Sequence, residues 1–197
     1  MLRQGVYVNL QKQGEDGHSV VSARFIPQKY YKGIKSKKET KKQLTSIKKS
    51  IESYSKNVYI DRPKLTTYRN KKSNYIIQFN EAYGISITDK KAVAKLTGVT
   101  IKAQEHIIKK GKGAYYSSGS RPGQSSSSWA YARLASVIMG GKARKYDQHI
   151  LDEENIVIKR PRKKVVSKSN KLSRSYFGKK IDKKTKKTKK HQNKIKN

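Results

Sequence analysis

Cysteine is absent from the 197 residues, which removes disulfides, thiolate metal sites and thiol nucleophiles together. Acids are scarce as well: 13 Asp+Glu stand against 48 Lys+Arg, a formal net charge of +35. Self-repulsion on that scale destabilises a compact chain unless a polyanion neutralises it. The hydrophobic fraction of 34% lies below the globular norm of roughly 45–50%, so part of the chain is expected to stay outside any fold. No apolar run is long enough to cross a bilayer, and the start, MLRQGVYVNL, lacks a secretory apolar core. The four histidines, His18, His106, His149 and His191, are dispersed without the H-E-x-x-H spacing of a zinc protease.

Phosphate-binding signatures are missing too. Gly111-Lys112-Gly113 is not followed by the Ser or Thr that a P-loop needs, and Tyr116 stands where G-x-G-x-x-G requires glycine. Ser118 does not sit in a G-x-S-x-G elbow. A triad of Asp147, His149 and a loop serine can be drawn, as in any serine-rich chain. No catalytic residue, metal site or cofactor is therefore assigned, and the expectation is a non-enzymatic protein.

What is present predicts a mainly α protein: a short N-terminal β-hairpin over residues 1–25, a helical domain over 26–152, and a disordered basic tail over 153–197. Gly5–Leu10 alternates apolar and polar, and His18–Phe25 does so more loosely, with Val20-Val21 breaking the pattern. Ser36 and Glu39 have the S-x-x-E spacing of a capping box, in which each end satisfies the other's free amide. Behind them Leu44, Ile47, Ile51 and Tyr54 step by three and four, the stripe of one helix face. Lysines flank that stripe; Lys41 and Lys48 face either solvent or phosphate. Tyr59–Pro63 reads as extended, since a residue before proline avoids the helical region. A second helix is predicted over Ser73–Tyr83, with Ile76, Phe79 and Tyr83 inward and Gly84 as its stop.

Thr88–Gly111 reads as two short helices about Gly98, a helix-turn-helix arrangement. Ala94, Gly98 and Val99, with Ile107 and Ile108 closing the second helix, resemble the lac-repressor type of that motif. Gln104 departs from it, standing where an apolar residue should be buried. Lys102, Gln104, Glu105, His106 and Lys109 are the candidate contacts to base or phosphate; an ordinary helical hairpin is the other reading.

Lys110–Met139 reads as an ordered loop joined to a buried helix. Gly111, Gly113, Gly119 and Gly123 allow positive φ or close approach, and Pro122 pins the Arg121-Pro122-Gly123 turn. A serine run then offers a helix cap, and Trp129, Leu134, Ala135 and Ile138 follow at helical spacing until Gly140-Gly141. The loop holds parts for gripping an anion: Arg121 as a fork, Lys112, the Ser117 and Ser118 hydroxyls, Tyr115 for stacking on bases, and Arg133 one helix turn on. The competing reading ties Arg121 and Arg133 to helix ends and puts the tyrosines in the core. A further short helix is expected over Ala143–Leu151. From Lys159 to the end there are eighteen Lys/Arg and one acid, Asp182. Arg160, Arg162, Lys163 and Lys164 there are phosphate contacts that carry affinity but no base information.

Gly113–Pro122 (GAYYSSGSRP), Trp129, Ala132–Ser136 (ARLAS) and Gly140-Gly141 resemble an uncharacterised family of large nucleocytoplasmic DNA viruses, with looser relatives in phages. Phe25–Leu151 carries the resemblance, including PQKYYKGIKSKKETKKQLTSIKKS and Tyr59–Leu65. It implies a viral origin and one α-rich unit, and names no catalytic residue. The expectation that follows is a viral nucleic-acid-binding protein, DNA ahead of RNA, that binds electrostatically and compacts or packages a genome. It would work in the virion or in host cytoplasm or nucleus, and is not expected to be secreted. The alternatives are a structural virion protein docking through Gly113–Gly123 on an acidic protein or membrane-associated surface, and an enzyme acting on nucleic acid.

Overall fold

The computed structural model describes residues 4–13 and 19–161. They form a two-stranded antiparallel hairpin and six helices, a mainly α fold as expected. Strands β1 (Gly5–Gln13) and β2 (Ser19–Pro27) pair from Gly5↔Pro27 to Gln13↔Ser19. The period of two lays Val6 and Val8 on one face, against Ile26 and Ile47, while Tyr7 turns outward beside Phe25 with ring centroids 5.3 Å apart. Val21, at the break in the alternation, is exposed.

Helix α1 (Lys37–Tyr54) puts Ile47 wholly inside, with Leu44 and Ile51 half-buried beside it. The same face also buries Gln43 and Ser50, which the apolar stripe does not reveal. Gln43 Nε2 donates to the carbonyls of Tyr30 and Ser120, and Ser50 Oγ to that of Tyr116. Half of the expected capping box forms: Ser36 Oγ accepts from the Glu39 amide at 3.4 Å. Glu39 does not turn back. Its carboxylate takes the amides and hydroxyls of both Thr66 and Thr67, four donors where the cap offers one. These bonds, with the two threonine hydroxyls foremost, lower its pKa from 4.5 to about 2. A carboxyl depressed in the folded state stabilises above its unfolded pKa and loses that contribution as pH falls through the folded one. Glu39→Gln is accordingly expected to narrow its stability gap to the parent between about pH 4.5 and 2, read from urea midpoints along a pH series; a gap unchanged over that window would refute the role.

A segment without regular secondary structure over residues 58–73 leads to α2 (Asn74–Tyr83), α3 (Lys90–Thr97), α4 (Ile101–Ser118), α5 (Ser126–Ile138) and α6 (Arg144–Glu153). Asp89, Thr100 and Ser125 cap α3, α4 and α5 through side-chain oxygens, and Ser128 completes a reciprocal box with Ser125. Phe79, Val93, Ile107, Leu134, Val137 and Ile150 lie in the main core, built from α2 to α6; Ile26, Tyr30 and Ile47 form a smaller one under the hairpin.

The largest difference from expectation is the length of α4. Lys110–Ser118, which reads as loop in the sequence, is its second half. Gly111 and Gly113 are helical glycines that let neighbours close in: a Cβ on Gly111 would lie 2.7 Å from Ala130 Cα of α5, and one on Gly113 2.9 Å from the Tyr54 hydroxyl. Of the four glycines between residues 110 and 123, Gly119 (φ 90°) and Gly123 (φ 65°) are the ones with positive φ. In an open helix Gly→Ala stabilises by about 1 kcal/mol. At Gly111 the clash is with backbone, which cannot swing aside, so Gly111→Ala should destabilise by about 1–3 kcal/mol, measured as a drop in urea midpoint. A rise would mean that α4 and α5 do not cross this closely.

Candidate nucleic-acid interface

The structure divides the sequence-predicted residues in and around the Gly113–Gly123 stretch. Tyr115 is fully buried, so it cannot stack on a base. Its hydroxyl accepts from the Arg62 amide and donates to the Gln124 carbonyl, both at 3.0 Å. Arg62 reaches back to the Tyr115 carbonyl at 2.6 Å and lies over the Tyr115 ring. Burial raises the Tyr115 pKa and lowers that of Arg62. Ser117 and Ser118 are half-buried in the last turn of α4, hydroxyls 3.4 Å apart. That is the negative end of a helix, which disfavours an anion. Arg133 is occupied as well: Nε and a terminal nitrogen fork onto Asp147 at 2.6 and 2.7 Å, and Lys110 adds a third contact at 3.4 Å. Asp147 is fully buried, so the pair ties α5 to α6. It also removes Asp147 from any triad; His149 Nε2 lies against Lys110 Nζ.

Gln104, a candidate contact on α4, is buried, its amide donating to the carbonyls of Lys90 and Val99. A polar side chain thereby fills the apolar position of the α3–α4 hairpin. Lys102, Lys109 and Lys112 are exposed on α4. Glu105 faces outward among them, paired with Lys90 at 2.8 Å, and Glu154 bonds the Thr100 cap. Negative charge thus sits at the end of α4 that a groove-reading helix presents to DNA.

Three groups of cations face solvent with few acids among them. On α1, Lys37, Lys41 and Lys48 flank a groove of about 310 Å³ that Val8 and Leu44 also line. Lys48 is paired only loosely, to Glu52 at 3.9 Å. Arg160 is exposed where the described chain ends; Arg162, Lys163 and Lys164 lie outside the described residues. The third group is one that sequence reasoning missed. The α5–α6 turn opens a cleft of about 640 Å³ lined by Tyr75, Gly140, Gly141, Lys142, Arg144, Lys145 and Gln148, with no carboxylate. Its one signal in the sequence is the run Lys142-Ala-Arg-Lys145, which reads there only as the start of a short helix.

Arg121 is a further exposed cation. Its turn is otherwise enclosed: Gly119, Ser120 and Pro122 are buried or nearly so, and Arg121 alone among the four is exposed. Gln43 bridges the carbonyl of Tyr30, next to Lys29, to that of Ser120, next to Arg121, and Lys142 lies within electrostatic reach of Lys29. Partial desolvation, and then repulsion from Arg121 and Lys142, lowers the Lys29 pKa. None of the three forms an ion pair among the described residues, where the pairs involve only Lys48, Lys90, Lys110 and Arg133. No group of His, Asp or Glu able to hold a metal forms among the described residues, and no helix there is long and apolar enough to cross a membrane.

No curated protein and no solved structure matches the chain. A family model does match, over residues 27–156, from the end of the hairpin to just beyond α6. The chain belongs to that family, a family of unknown function (DUF5824).

Proposed function

We propose that the protein binds nucleic acid through its phosphate backbone, without base reading, and that it is a viral protein serving to compact or package a genome. The observation that carries the binding is how the charges are used. Residues 1–161 alone hold 32 Lys+Arg against 12 Asp+Glu, a formal +20, so the excess does not reside in the tail alone. Several acids are engaged within the fold, Asp147 beneath Arg133, Glu39 on Thr66 and Thr67 and Asp89 at the start of α3, while Glu81, Glu105, Asp152 and Glu153 stay exposed and are outnumbered by the lysines. The lysines are left to solvent on several faces, which suits a polymer of negative charge better than a single small ligand. The burial of Tyr115 and Gln104, and the acids around the start of α4, weigh against base-specific recognition. The viral origin and packaging role rest on the resemblance of Gly113–Pro122, Trp129 and Ala132–Ser136 described above.

The test is anisotropy of a labelled 20-base-pair duplex with the full chain at 50 mM salt. Binding at about 10⁻⁶ M or tighter, equal for unrelated sequences, is the expected result. Duplex left unbound at tenfold higher protein would overturn the reading, and a strong preference for one sequence would overturn its backbone character.

A further inference from the structure

The basic surface is not uniform, and one part of it is built. Lys29 follows the hairpin, Arg121 sits between α4 and α5, and Lys142 between α5 and α6; the fold gathers them from segments far apart in sequence. Gln43 donates to the carbonyls of both Tyr30 and Ser120, which sets the Lys29 segment beside the Arg121 turn. Desolvation first, and repulsion from Arg121 and Lys142 after it, lower the Lys29 pKa, and no carboxylate pairs with any of them among the described residues. The turn that presents Arg121 is fixed from beneath. Gln43 donates to the Ser120 carbonyl, the Tyr115 hydroxyl to that of Gln124, and the neighbours of Arg121 on both sides are buried. A guanidinium on a rigid turn loses less freedom on forming a two-pronged bond than one on a loose chain. Lys142 opens directly into the cleft walled by Tyr75, Arg144 and Lys145, which is wide and acid-free, a shape for a strand lying across it.

We propose that Lys29, Arg121 and Lys142 form one ordered phosphate-binding site, continued into the α5–α6 cleft by Arg144 and Lys145, which holds consecutive phosphodiesters of a nucleic-acid backbone. This rests on the nucleic-acid reading above and assigns that binding its anchor. The α4 face supplies an internal control, since Lys102, Lys109 and Lys112 carry the same charge without the enclosed turn or the cleft.

The experiment compares two full-length triple variants, Lys29→Gln/Arg121→Gln/Lys142→Gln and Lys102→Gln/Lys109→Gln/Lys112→Gln, by duplex anisotropy over a salt series. The first should weaken binding about tenfold or more beyond the second. It should also flatten the log–log salt slope by roughly one for each phosphate no longer neutralised. Equal weakening in the two variants would overturn the site while leaving the nucleic-acid reading intact; a parent chain that ignores duplex overturns both. Weakening confined to phosphatidylglycerol vesicles, with duplex affinity unchanged, would overturn it in favour of a membrane surface. Amide shift mapping on the unsubstituted protein gives a test free of folding effects. Duplex should move Arg121 and Lys142 among the most shifted amides, and shifts restricted to α4 and the tail would refute the proposal.

Discussion

Raising salt from 50 to 200 mM is expected to cost the full chain roughly 10³–10⁵-fold in duplex affinity, the drop that follows from neutralising about 6–10 phosphates. That range is conservative beside a formal +35, because not every cation can reach one segment of duplex at once. The physics is counterion release: each ammonium or guanidinium that settles on a phosphate frees a condensed cation, and the entropy gained shrinks as bulk salt rises. Docking on a folded acidic protein gives a different curve. Such a surface carries no condensed ion atmosphere, and its salt response comes from screening over a Debye length of about 8–10 Å. Slope therefore separates the two partners as well as affinity does. The measurement is anisotropy at five or six salt concentrations, plotted as log K against log salt. A line near horizontal would remove nucleic acid as the partner and leave the acidic-surface alternative in its place.

The elements most legible in the sequence are those whose signals are local. The α1 stripe, the Gly84 stop of α2 and the alternation of β1 all depend on neighbours within a few residues, and all recur in the structure. The misread elements are those decided by distant partners. Gly111 and Gly113 look like helix breakers until Ala130 and Tyr54 are seen pressing on them. Glu39 has the spacing of a cap, but Thr66 and Thr67 arrive from 27 and 28 residues away with more donors. Gln104 looks exposed because it is polar, and is buried with its amide donating to the carbonyls of Lys90 and Val99. The same division holds at the site. Residue type alone nominates Tyr115, Ser117, Ser118 and Arg133; Tyr115 and Arg133 are bound into the fold, and Ser117 and Ser118 lie half-buried at the negative end of α4. Lys29 and Lys142, members of the proposed site, carry no sequence signal, because what singles them out is the Gln43 bridge between the Tyr30 and Ser120 carbonyls and the acid-free α5–α6 cleft, both tertiary features.

Arg133→Ala is expected to destabilise the fold by about 3–5 kcal/mol, the usual cost of stranding one partner of a buried ion pair. Against a total of about 5–15 kcal/mol for a domain, that is enough to leave much of the chain unfolded at 37 °C. Asp147 has a fully buried side chain and Arg133 one that is 20% exposed, so solvent screens the pair weakly. Lys110 at 3.4 Å is itself one-third exposed and replaces the missing fork poorly. Arg133→Lys keeps the charge but cannot span both oxygens, and should fall between parent and alanine variant. Arg133→Met combined with Asp147→Leu removes both charges, and should be less damaging than either single truncation, because no bare carboxylate remains inside. Urea midpoints of the four proteins, analysed at a common slope, would establish that order. The opposite pattern is equally clear: an Arg133→Ala protein with parental stability and weakened duplex binding would put this arginine at the nucleic-acid surface after all, and would mean that α5 and α6 are held together by their apolar faces alone.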